Sequence, residues 1–142
     1  MRLLYVLLTY LIAPLVIAHE AWKALFNTEY RGRLWQRLGF VQHAVRPGSV
    51  WIHAVSVGEV QAAAGLVSEL QRRYPTLPIV LTTVTPTGAQ RARSLFKEGV
   101  QICYLPYDLP GSVGRFLDRI SPQTVVILET EIWPTLYHQL GQ

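Results

Sequence analysis

From Val50 onward, short apolar runs alternate with amphipathic ones, and this alternation constrains the fold more than any other feature of the chain. Residues 50–56 read as a first strand. Residues 59–73 read as a helix with Val60, Ala63, Ala64, Val67 and Leu70 on one face. Tyr74-Pro75 ends that helix, because a residue before proline is driven out of helical backbone angles. Residues 79–83 form a second strand, and Thr85-Pro86 supplies an N-cap with proline in the first turn of a helix running to about Lys97. A third strand over 101–104, a helix over 112–120 and a fourth strand over 124–128 follow. Trp133-Pro134 opens a last helix. Strands apolar on both faces, joined by helical crossovers, imply an α/β fold: a Rossmann-like parallel sheet with helices on both faces. The glycine fingerprints of dinucleotide and P-loop sites, G-x-G-x-x-G and G-x-x-x-x-G-K-[ST], are missing from the sequence.

In an open α/β sheet, ligands bind beyond the carboxyl ends of the strands, so the residues after each strand predict the site. They are Ser56-Val57-Gly58-Glu59, Thr85-Pro86-Thr87-Gly88, Pro106-Tyr107-Asp108 and Glu129-Thr130-Glu131. Four of the seven acids in residues 51–142 fall on this rim, whereas the basic residues of that stretch fall on helices or their far ends. Glu59 lies just inside a helix start, where it can serve as a general base or simply complement the helix dipole. Ser56 and Gly58 precede it, the glycine allowing close approach of a ligand to the backbone. Thr85, Thr87 and Gly88 suit a phosphate or sugar oxygen, or equally an ordinary N-cap. Glu129 and Glu131, two apart on an extended end, should point in opposite directions, one to the cleft and the other capping the last helix. His53 reads as a satisfied core histidine, Asp108 between prolines as a turn residue, and Cys103 as inert core. No cluster has metal-ligand spacing, so neither a bound metal nor a cofactor is expected.

The N-terminal third has a different character. Residues 3–18 carry no charge, and as a helix they would extend about 24 Å, somewhat short of a hydrocarbon core of roughly 30 Å. Extension through Trp22 improves the match, with Tyr5, Tyr10 and Trp22 at headgroup level. A membrane anchor, spanning or lying in the plane with a kink at Pro14, is the leading reading. A cleaved signal ending near Ala18 and a buried soluble helix are the alternatives. Residues 1–50 hold six basic groups and two acids, and residues 51–142 seven of each, so the net charge of +4 belongs to the N-terminal arm. Such a distribution argues against nucleic-acid binding, and the positive-inside rule places the downstream part on the cytoplasmic side. With 50% hydrophobic and 15% charged residues, the chain is no disordered polyelectrolyte, and its single cysteine excludes a disulfide framework. The organisation expected is an anchor helix over 1–28, a basic membrane-proximal segment over 29–49 and a Rossmann-like domain over 50–142.

The rim segments together resemble one family. W-I-H-A-V-S-V-G-E-V (51–60), T-T-V-T-P-T-G (82–88), Y-L-P-Y-D-L-P (104–110) and E-T-E-I-W-P (129–134) are similar to motifs of the 3-deoxy-D-manno-octulosonic acid (Kdo) transferases of lipopolysaccharide synthesis. R-L-W-Q-R-L-G (33–39) and the apolar start match the family's beginning, and Thr135 stands where the family usually has asparagine. The resemblance implies the N-terminal half of a GT-B glycosyltransferase at the cytoplasmic face of a bacterial inner membrane. It implies inverting, metal-independent transfer of Kdo from CMP-Kdo to a lipid A precursor, lipid IVA. By motif match, Glu59 is the general base and Glu129 the transition-state stabiliser. Ser56, Gly58, Thr85, Thr87, Gly88 and Glu131 line the acceptor side. Because the donor domain of that fold is expected beyond Gln142, little activity is expected of these 142 residues alone. A non-enzymatic membrane module that binds lipid A precursor is the alternative.

Overall fold

A computed structural model of the chain describes residues 2–96, 98–128 and 131–141. Its elements run α1 (Arg2–Phe26), α2 (Thr28–Arg37), β1 (Ser49–His53), α3 (Val57–Arg73), β2 (Ile79–Thr83), α4 (Pro86–Leu95), β3 (Val100–Tyr104), α5 (Pro110–Ile120), β4 (Pro122–Ile127) and α6 (Pro134–Leu140). The strands and later helices fall within two or three residues of the sequence expectation. Helix α2, inside the segment read only as a basic arm, was not foreseen.

The four strands form one parallel sheet in the order β3-β2-β1-β4. In register, His53 stands opposite Thr82 of β2 on one side and Ile127 of β4 on the other. The chain thus winds outward from β1 through β2 to β3, then returns to the far side of β1. Right-handed crossovers in opposite directions put helices on opposite faces, which is the doubly wound arrangement. Because side chains alternate along a strand, Val50, Ile52 and Ala54 face one way, with Ile79 and Leu81 beside them. They pack with Val60, Ala63 and Val67 of α3 and with Ala92 and Phe96 at the end of α4. Trp51, His53, Val80, Thr82 and Cys103 belong to the other face and are buried too. Burial pushes the Cys103 thiol up to about 12.

By internal contacts the chain divides into two compact units. One comprises His43–Leu105 and Leu117–Glu131 and contains the sheet. The other comprises Met1–Gln42, Pro106–Phe116 and Ile132–Gln142. In this second unit, α1 includes a stretch, Leu3–Phe26, long and apolar enough to cross a membrane. The arm that follows is folded rather than extended. Arg33 approaches Glu20 at 3.6 Å, Arg31 Nε donates to the Ala24 carbonyl at 2.9 Å, and the Arg37 guanidinium lies 4.3 Å from the Tyr107 ring centroid. Gly39 sits at φ +90 against the Ser112 carbonyl, where a Cβ would clash, so the turn after α2 requires glycine.

Candidate functional site

Strand order locates the crevice of the sheet unit. The winding direction reverses between β1 and β4, and in doubly wound sheets ligands lie beyond the strand carboxyl ends at that point. β1 continues there through Val55 into Ser56, the N-cap of α3, and β4 leads into Leu128, whose N–H donates to the His53 carbonyl at 3.1 Å.

Glu59 occupies the first turn of α3. Its Oε2 accepts the Val55 N–H at 2.6 Å and its Oε1 accepts the Ser56 hydroxyl at 2.6 Å. This is a variant of the capping box in which the glutamate reaches back one residue further and Ser56 donates its hydroxyl to Glu59 instead of capping the helix itself. Both bonds fix the carboxylate's orientation at the crevice. Because each carboxylate oxygen has two lone pairs, holding a donor does not prevent it from taking a proton from a bound hydroxyl.

The Val55 carbonyl ties the second rim segment to the first. It accepts the Thr83 hydroxyl at 2.8 Å and the Thr85 hydroxyl at 3.3 Å. Thr85 Oγ1 in turn accepts the Gly88 N–H at 3.0 Å, which makes it the N-cap of α4, with Pro86 in the first turn. A Cβ on Gly88 would run into the Thr83 and Thr85 hydroxyls, so this close approach needs glycine. Thr87 is exposed, its hydroxyl 3.4 Å from Thr85 Oγ1, and Gly58 is exposed at the start of α3. The structure therefore gathers Ser56, Glu59, Thr85 and Gly88 around one backbone residue, Val55. Thr83 and Val55 went unnoticed in the sequence. The only signal was a threonine pair ending an apolar strand, since buried hydroxyls there need partners.

His53 and Glu131 meet across the crevice. The imidazole is fully enclosed, its Nδ1 2.8 Å from Thr82 Oγ1 and its Nε2 3.4 Å from Glu131 Oε2. The Trp51 indole N–H donates to the same Thr82 oxygen at 2.8 Å. With the proton on Nε2, toward the Glu131 carboxylate, Nδ1 becomes the acceptor to which the Thr82 hydroxyl can donate. Burial pushes the His53 pKa down, against the opposing pull of the Glu131 carboxylate. The contact is accordingly a long hydrogen bond between a neutral ring and the carboxylate at neutral pH. The core-histidine reading holds, with the addition that its outer nitrogen faces a rim carboxylate. Glu129 lies outside the described residues.

One expectation for the rim is corrected. Asp108 lies in a bend, as expected of a turn residue, but one of the two glutamates was to cap the last helix. Instead, in the unit that contains α1, Asp108 accepts the Thr135 N–H at 3.0 Å and the Leu136 N–H at 2.9 Å, capping α6. It also accepts the Tyr5 hydroxyl at 2.7 Å. Three donors satisfy a carboxylate that is only 7% exposed. Among the described residues, no group of three or more His, Cys, Asp or Glu could hold a metal ion.

Fold and site thus define a doubly wound α/β unit with hydroxyls and carboxylates gathered beyond its strand ends, and the comparisons with known proteins agree in one direction. A family model described as 3-Deoxy-D-manno-octulosonic-acid transferase (kdotransferase) matches residues 32–142. A 3-deoxy-D-manno-octulosonic acid transferase of Haemophilus influenzae is 43% identical over 141 residues, covering 98% of this chain and 33% of that protein. A probable mitochondrial one of Arabidopsis thaliana is 34% identical over 134 residues, 94% of this chain and 30% of that protein. One of Bordetella pertussis is 44% identical over 92 residues, 61% of this chain and 21% of that protein. The chain belongs to the 3-deoxy-D-manno-octulosonic acid transferase family. It spans about a third or less of the length of these curated relatives.

Proposed function

We propose that this chain forms the acceptor side of a Kdo transferase that moves Kdo from CMP-Kdo to a hydroxyl of a lipid A precursor such as lipid IVA, at the cytoplasmic face of a bacterial inner membrane. The observation that carries the reading is the Glu59 carboxylate, fixed by the Val55 N–H and the Ser56 hydroxyl at the reversal point of the sheet. In this reading the acceptor hydroxyl hydrogen-bonds to Glu59, which removes its proton as the oxygen attacks the anomeric carbon of Kdo. The carbon–oxygen bond to CMP breaks on the opposite face, so the centre inverts, and no metal is required. Glu129 stabilises the transition state. Ser56, Gly58, Thr85, Thr87, Gly88 and Glu131 bind the acceptor sugar or hold the rim that does. The architecture proposed is the first half of a GT-B enzyme: an anchor over 1–28, a basic segment over 29–49 and an acceptor-binding domain over 50–142. Donor binding is assigned to the length of the relatives that this chain does not match, so the 142 residues alone are expected to transfer little Kdo.

The test is Glu59→Gln in an enzyme carrying the complete family length. General-base catalysis is worth roughly 10²–10⁴-fold, so kcat should fall by that order with acceptor KM little changed. Turnover equal to wild type would refute the assignment. Lipid binding retained by Glu59→Gln and Glu129→Gln, with no transfer by the unaltered complete enzyme, would instead favour a binding module.

A further inference from the structure

Both ends of α1 are held by the same compact unit. Near its start, the Tyr5 hydroxyl donates to Asp108 at 2.7 Å, and Asp108 is itself pinned by the first N–H groups of α6. Near its end, Glu20 faces Arg33 of α2, and the Ala24 carbonyl accepts Arg31. Tyr5 and Glu20 are separated by about 22 Å of helix at the standard rise. Between them, one side of α1 lies along the Tyr107–Leu109 stretch and Trp133, leaving a groove of about 210 Å³ lined by Tyr5, Ile12, Val16, Leu109 and Trp133. A helix that crosses a bilayer can touch a globular unit on one side of the membrane at only one of its ends, because roughly 30 Å of hydrocarbon separates the two interfaces.

The other side of α1 is apolar and uncovered. Leu4, Leu11, Leu15 and Trp22 are 64%, 73%, 74% and 65% exposed. Their spacings of 7, 4 and 7 place them in one stripe along the helix. Trp22 and Phe26 stack edge to face at its end, their ring centroids 5.7 Å apart, and the exposed bases Lys23 and Arg31 belong to the same end, Arg31 through its bond to the Ala24 carbonyl. Aromatic rings and basic side chains at the margin of an apolar stripe match the headgroup zone of an anionic bilayer. A lone interfacial helix needs a polar face toward water. Here the opposite side, from Tyr5 through Thr9 and Ala13 to Glu20, is half-covered by the protein, so an almost uniformly apolar segment can lie flat.

Building on the membrane attachment proposed above, we infer that α1 does not span the bilayer but lies in its plane, latched by Tyr5 to Asp108, with the Leu4–Trp22 stripe immersed in one leaflet of anionic lipid. The test uses the full chain in phosphatidylethanolamine–phosphatidylglycerol vesicles, carrying one nitroxide-labelled cysteine at a time through Leu4→Cys, Leu11→Cys, Leu15→Cys and Trp22→Cys. Depth is read from collision with oxygen against collision with a water-soluble nickel chelate. Equal, shallow depths at all four positions are expected. Sites 11 and 15 lying about 10 Å or more deeper than site 4, as the 1.5 Å rise requires of a spanning helix, would overturn the in-plane arrangement while leaving membrane attachment intact. Four labels exposed to water would overturn both.

Discussion

The two compact units treat polar and apolar groups in opposite ways. In the sheet unit, Trp51, Ile52, Val80 and Leu81 are sealed from solvent, while the charged Glu69, Arg72 and Arg73 pair on the outer surface of α3. In the unit containing α1, Leu3, Leu7, Leu11 and Leu15 stand exposed while Asp108 is buried. Isolated exposed leucines are ordinary, but a continuous stripe of them is not, and a buried carboxylate survives only with its donors in place. The contrast fits the two surroundings proposed for the units. The sheet unit excludes water from its interior in the usual way. The α1 unit buries the Asp108 carboxylate with its donors and leaves its apolar surface uncovered, as the membrane attachment proposed above requires.

Paired substitutions can break or sharpen this contrast. The largest effect is expected in the sheet core, where Ile52→Ala should cost about 2–5 kcal/mol of unfolding free energy, read by chemical denaturation in detergent. Asp108→Ala should come next, at about 3 kcal/mol, because it strands the Thr135 and Leu136 N–H groups and the Tyr5 hydroxyl. Asp108→Asn, keeping a carbonyl acceptor, should lose less. A pH dependence should follow in the sheet unit. The folded His53 pKa is lowered, so the unfolded chain binds more protons as the solution is acidified. That contribution is therefore fully present above the unfolded value near 6.5 and is lost as pH falls toward the folded value. His53→Gln should flatten the slope of stability against pH over that window. The smallest effect on unfolding is expected from Leu11→Ala, within about 0.5 kcal/mol, although vesicle partitioning should weaken by about 2 kcal/mol. If Leu11→Ala proved as destabilising as Ile52→Ala, the distinction between the two units would fail.

What could be read from the sequence was local. Apolar runs, the Thr85-Pro86 cap and the Tyr74-Pro75 stop located the strands and helices because each depends on neighbours within one or two turns. The place of Glu59 in the first turn of α3 was legible for the same reason, and its donors, Val55 and Ser56, lie four and three residues away. The capping role of Asp108 was missed because the N–H groups it caps are 27 and 28 positions downstream, where no local turn rule reaches. His53 and Glu131 are 78 apart, and their meeting depends on β4 lying beside β1, which periodicity alone does not dictate. Helix α2 escaped notice because T-E-Y-R-G-R-L-W-Q-R is strongly polar with a central glycine, and its geometry is held by Arg33 and Arg37 engaging Glu20 and Tyr107. Polar contacts distant in sequence therefore decide what hydrophobic patterning leaves open.

Cys103 has a practical consequence. It is the sole thiol of the chain, enclosed in β3, and with its ionisation pushed up to about 12 it carries almost no thiolate at neutral pH. Maleimides and methanethiosulfonates react with the thiolate, so the native chain is a silent background for alkylation. A reporter cysteine introduced on either unit can be modified without first removing the natural one, and every labelled variant retains the unaltered core of its sheet.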